Sequence, residues 1–143
     1  MRAVVALSLV AAARGVALRT RARVPNCTPN NLHAFLATPR NWPDIVLSSA
    51  GVEGAAADAP LERDGVVDEL FGLPPVLPLR VAWRCEATDP NEGLLDVRSA
   101  DGLAGVAKDC RMLFDVSADG DDASVVELEM SYPLPRPHTW QEL

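Results

Sequence analysis

Between Val66 and Tyr132 apolar and polar residues alternate in one short run after another, and most runs stop at a turn signal. Val81, Trp83 and Cys85 alternate with Arg80, Arg84 and Glu86, then DPNEG (89–93) interrupts before Leu94–Ser99. After Asp101-Gly102, the run Val106–Val116 sets Lys108, Cys110, Met112 and Phe114 against Asp109, Arg111 and Asp115. SADGDD (117–122) then reads as a hairpin loop before Val126, Leu128, Met130 and Tyr132 alternate with Glu127 and Glu129. A period of two marks a strand with one buried face. Strands joined by such short turns pair antiparallel, because parallel pairs need long crossovers. The chain must therefore build a meandering antiparallel sheet whose oily face needs a cover.

The only covering helices in the pattern lie early. VALRTRARV (16–24) is a strand with an arginine-rich wet face. Thr28 then fits an N-cap with Pro29 at the first helical position, where its missing N–H costs nothing. Leu32, Phe35 and Leu36 give a short amphipathic stripe that places His33 on the exposed side. Pro39 breaks the helix, and a second turn around Arg40–Trp42 follows it. Ile45–Val52 reads as a strand, Gly54–Ala59 as an alanine-rich loop, Asp64-Gly65 as a turn and VVDELF (66–71) as the next strand. FGLPPVLPL (71–79) is apolar and proline-stiffened, suited to a lid or a strand bend near a pocket mouth.

At 143 residues the chain fits one domain. All 20 acidic residues fall from Asp44 onward, whereas six of the 13 basic ones precede it. An acidic surface of this kind repels phosphate backbones, which argues against a nucleic-acid partner. Residues 1–13 have a basic start, an apolar run too short to span a membrane, and Ala11–Ala13 before Arg14. This layout suits a signal or targeting segment, with the secretory pathway or a plastid as destination. Cys27, Cys85 and Cys110 are odd in number and widely spaced, unlike a disulfide framework or a metal or redox pair.

The ordered sum resembles the helix-grip superfamily of START lipid-transfer domains, the birch-pollen-allergen family and the polyketide cyclase and dehydrase-like proteins. The resemblance runs over residues 16–135 and is carried by VPNCTPNNLHAFLATPRNWPDIV, LERDGVVDELF, VAWRCEATDPNEGLLDVRS, GVAKDCRMLFDVS and SVVELEMSY. Its flavour is that of the plastid-associated members. It implies an α+β fold, a curved antiparallel sheet of about 6–7 strands with two short helices after the first. The family's long C-terminal helix is missing from the pattern, and residues 136–143 are read as a tail or the first turn of a truncated helix. The resemblance further implies an apolar cavity for a lipid, isoprenoid or polyketide-like molecule.

The expected partner is thus a small hydrophobic ligand, with transient membrane contact compatible with its transfer. A protein partner enters if the C-terminal helix is truly absent. Trp42, Phe71, Trp83, Met112, Phe114 and Tyr132 are the candidate ligand-binding residues, since rings and a thioether bury large area with little strain. Phe35, Leu36 and Trp42 together suit a plug or entrance rim, and Arg111 or Tyr132 an inward polar group that orients the ligand. No catalytic, metal or cofactor residue stands out. His33 and His138 lack triad or ligand spacing, and Glu127, Glu129 and Asp115 alternate as a solvated face does. Binding or transport is therefore favoured over a cyclase or dehydrase-like enzyme in the same cavity. Such an enzyme requires an ionisable side chain facing inward.

Overall fold

The computed structural model describes residues 5–12, 15–46, 49–72, 79–101 and 108–133, with side chains from residue 15 onward. Eight strands form one antiparallel sheet in the order β1-β2-β8-β7-β6-β5-β4-β3. They are β1 (Val5–Ala12), β2 (Gly15–Pro25), β3 (Ser49–Glu53), β4 (Val66–Phe71), β5 (Leu79–Asp89), β6 (Leu94–Ser99), β7 (Cys110–Ala118) and β8 (Ala123–Pro133). Helix α1 (Pro29–Ala37), a 3-10 turn (Pro39–Asn41) and α2 (Trp42–Ile45) lie between β2 and β3. This is the α+β helix-grip arrangement, a curled half-barrel with two short helices after its first long strand. Register shifts between Ser49 and Gly51, and between Cys85 and Ala87, mark bulges, which bend and twist a sheet locally.

The count exceeds the expected 6–7 strands because the segment read as a targeting peptide pairs with β2, from Val5↔Ala22 to Ala12↔Gly15. It occupies an edge of the sheet, so the remaining seven strands keep their mutual pairing without it. The strand expected over 45–52 begins only at Ser49, because α2 runs on to Ile45. The segments 73–78, with the proposed lid, and 136–143, with the proposed tail, lie outside the described residues; no long C-terminal helix occurs among those described.

Local chemistry sets the helix pair. Thr28 Oγ1 accepts from Asn31 N and Pro29 begins α1, as its sequence requires. At the other end Trp42 Nε1 donates to Leu36 O at 2.8 Å and Asn41 Nδ2 donates to Phe35 O at 2.9 Å. These bonds satisfy carbonyls that the last helical turn leaves open. The tryptophan past the proline break is thus a buried cap for α1. The buried stripe of α1 is Leu32, His33, Leu36 and Ala37, one step round from the expected one. His33 is 3% exposed rather than solvated, and Phe35 is 40% exposed. A buried imidazole needs a partner, and His33 Nε2 finds it in Leu94 O at 2.9 Å, which docks α1 on the start of β6.

The turn DPNEG joins β5 to β6 with Gly93 at φ +69°, where an added Cβ would stand 1.9 Å from Val116 O. Only glycine fits that approach.

Candidate functional site

The concave face carries the alternating apolar rows. Val67 and Trp83 are register partners, as are Cys85 and Val97, Val97 and Met112, and Leu95 and Phe114; all are buried. Helix α1 covers part of this face, with Leu32 and Leu36 in the same core. The cover is incomplete, and the described residues leave apolar hollows, two of which stand out. The larger, about 700 Å³, lies between α1, α2 and strands β2, β7 and β8, lined among others by Thr20, Val24, Phe35, Leu36, Phe114 and Leu128. The second, about 380 Å³, is lined by Leu18, Phe71, Val81, Trp83, Met130 and Tyr132 together with Cys110, Arg111 and Ser131. Leu18 follows Thr20 on the same face of β2, and Met130 follows Leu128 on β8, so the hollows are successive stretches of one trough. Each has a volume within the roughly 300–1,000 Å³ of small-molecule sites.

The structure brings Phe71, Trp83 and Tyr132 together around the smaller hollow and sets Phe114 in the wall of the larger. Met112 is buried between them, register partner of Val97 and Met130. Trp42 lies in the core as the cap of α1 and lines neither hollow, so the rim is left to Phe35 and Leu36. Arg111 borders the smaller hollow, but its guanidinium is held by the Asp96 carboxylate through Nε–Oδ1 and Nη2–Oδ2 bonds of 3.0 Å each. It is therefore not an inward orienting group. Burial raises the Asp96 carboxyl, but hydrogen bonds from Arg111 and Arg98 and their charges more than offset that, holding it below the usual aspartate range.

One functional candidate escaped the sequence reading. Glu69 of β4 shares the concave row with Val67 and is 1% exposed. Trp83 Nε1 donates to its Oε2 at 2.8 Å, while Oε1 is buried without a hydrogen bond. Burial pushes the carboxyl above its ordinary value of 4.5; the nearby Ser49 hydroxyl and the Trp83 N–H pull it back only in part. The Ser49 hydroxyl is not in hydrogen-bonding geometry, so Ser49 Oγ also lacks a partner. VVDELF puts a carboxylate on each face of β4, so alternation alone could not say which one is inside. The signal lay in the pairing of this strand with Trp83.

No family model matches the chain, and no curated protein matches it. Solved structures do. Norcoclaurine synthase from Thalictrum flavum, as a point mutant with a transition state analogue, superposes with a TM-score of 0.64 at 14% identity, covering 91% of this chain and 79% of the synthase. Major latex-like protein 151 from Panax ginseng gives 0.60 at 14% identity, over 88% and 89% of the two chains. Ara h 8.0201 gives 0.60 at 11%, over 86% and 82%.

These matches correct the expectation that catalysis is disfavoured. The fold is shared with a synthase solved with a transition state analogue, and Glu69 is a buried ionisable group on the concave side of the sheet. At such low identity the likeness shows the architecture alone: this chain has the helix-grip fold shared by norcoclaurine synthase, the ginseng latex-like protein and Ara h 8.0201.

Proposed function

We propose that the protein is a cavity enzyme that takes a small, largely apolar molecule into the concave trough and acts on it there. The observation that carries this reading is a buried carboxyl beside an apolar pocket, Glu69 joined to the pocket-lining Trp83. Apolar walls supply the binding energy by removing a ring-sized molecule from water, and a buried carboxyl holds its proton to higher pH than a solvated one, which suits it to proton transfer. The fold offers a precedent, since the Thalictrum synthase has been seen with dopamine and hydroxybenzaldehyde in complex. The finer reading is a START or polyketide cyclase-like protein of the plastid type. In that reading Phe71, Trp83, Met112, Phe114 and Tyr132 are the ligand wall.

The test is incubation with a panel of aromatic aldehydes and ketones, with and without an aromatic amine, followed by mass spectrometry. The wild type should consume at least one member. Leu18→Trp, which fills the smaller hollow lined by Trp83, should abolish consumption without changing the far-ultraviolet circular dichroism. Binding without consumption would reject catalysis, and absence of binding would reject the pocket itself. We further propose that residues 1–13 direct the chain to a plastid or the secretory pathway and are removed. Cleavage after Ala13 would spare β2, and N-terminal sequencing of the mature protein should then begin at Arg14.

A further inference from the structure

Asn26, Cys27 and Thr28 form the Asn-x-Ser/Thr acceptor triplet of N-linked glycosylation, and no other triplet of that kind occurs in the 143 residues. So short a pattern acquires meaning only from its place in the fold. Asn26 stands in the turn by which the chain leaves β2 for α1, exposed and at φ +54°. Asparagine is one of the few residues that tolerate this left-handed conformation. Its neighbours are tied down. Pro25 pairs with Ala123 of β8, Ser124 Oγ donates to Cys27 O at 2.6 Å, and Asn31 N donates to Thr28 Oγ1 at 3.3 Å. Among the described residues the Asn26 carboxamide itself has no hydrogen-bond partner. The fold thus holds the acceptor outward without using its side chain, and a large group on Nδ2 breaks no bond.

The position also has a neighbour worth covering. Asn26 lies on the border of the larger hollow together with Phe35 and Ile45, which are 40% and 43% exposed. Because Asn26 is exposed too, this border is the mouth of the hollow. Large apolar side chains meet water there, and such a rim invites association with other chains.

Resting on the secretory reading of residues 1–13, we infer that Asn26 carries an N-linked glycan that screens the mouth of the larger hollow. The co-reactant is a polyprenyl-diphosphate oligosaccharide. Asn26 Nδ2 forms a bond to its anomeric carbon, the bond from that carbon to the diphosphate oxygen breaks, the diphosphate leaves with the electron pair, and Nδ2 gives up one proton. Thr28 supplies the hydroxyl that the triplet requires, free in the entering chain before the α1 cap forms. The attached sugar is bulky and hydrated, so it keeps Phe35 and Ile45 from meeting another molecule.

The experiment translates the full chain in a cell-free system with endoplasmic-reticulum microsomes, followed by protease and then by peptide N-glycosidase. The protease-protected wild type should run as one slower band that the glycosidase returns to the unmodified position. Asn26→Asp, which keeps a residue tolerant of positive φ, should lose the shift completely. Thr28→Ser, which keeps both the cap and the triplet, should retain it. Light scattering of the glycoprotein secreted by cultured eukaryotic cells should rise once the glycosidase has removed the sugar. A chain protected inside the microsomes yet unshifted, or a shift that survives Asn26→Asp, would overturn the acceptor assignment and leave the targeting reading standing. Unchanged scattering would overturn the screening role. If the chain stays outside the microsomes, the secretory reading falls and this inference falls with it.

Discussion

On the convex face of the sheet, Arg19 and Arg21 of β2 reach Glu129 and Glu127 of β8 at 2.7 Å, and Arg80 of β5 reaches Asp68 and Glu53 at 2.9 and 3.0 Å. On the concave face Glu69 has a neutral N–H donor and, among the described residues, no counter-charge. The contrast sharpens between the two buried carboxyls. Asp96 of β6, on the convex side, is held by two arginines and is pulled below the ordinary range. Glu69, on the concave side, is pushed above it by burial. The same functional group is held ionised where the fold supplies a cation and keeps its proton to higher pH where burial dominates. Regular charge pairing marks the face that faces water, and among the described residues the concave face is apolar apart from a few polar groups such as Glu69.

The contrast can be broken in graded ways. The largest effect should come from Trp83→Ala, which opens a cavity in the concave core and strips Glu69 of its donor. A loss of about 3–5 kcal/mol in urea unfolding is expected, and a loss below the cost of a surface change would show that the concave face is not close-packed there.

Next comes a pair of pH titrations with opposite signs. Relative to Glu69→Gln, the wild type should be favoured most below pH about 4.5 and should lose ground as pH rises through the raised pKa of Glu69. Relative to Asp96→Asn, the contribution of Asp96 should be complete above pH 3.8 and vanish as pH falls through its lowered pKa. Parallel slopes in the two thermal-unfolding series would mean that the faces do not differ as described.

The smallest effect should be that of Arg21→Ala. Its bond to Glu127 joins side chains 61% and 58% exposed, so about 0–1 kcal/mol is expected, shrinking as salt is added.

Much of the scaffold was legible because alternation is a local property of strands. VVDELF and LLDVRS became β4 and β6 with the bounds read from them, and Thr28-Pro29 started α1. The helix face was not legible. Leu32, Phe35 and Leu36 make a valid stripe, but so do Leu32, His33, Leu36 and Ala37, and the choice fell to the carbonyl of Leu94, which receives the imidazole N–H. Arg111 was misplaced for a similar reason, since its partner Asp96 comes from the neighbouring strand.

By itself the sequence determined an antiparallel sheet, its turns, the early helix pair and an outer face crowded with charge, all of which depend on residues a few positions apart. The tertiary structure alone decided that Trp83 would bond to Glu69, that no cation among the described residues would face that carboxyl, and that a hollow would open beside Trp83. Those outcomes depend on ladder register, and a shift of one residue would have sent Glu69 to the water and Asp68 to the core.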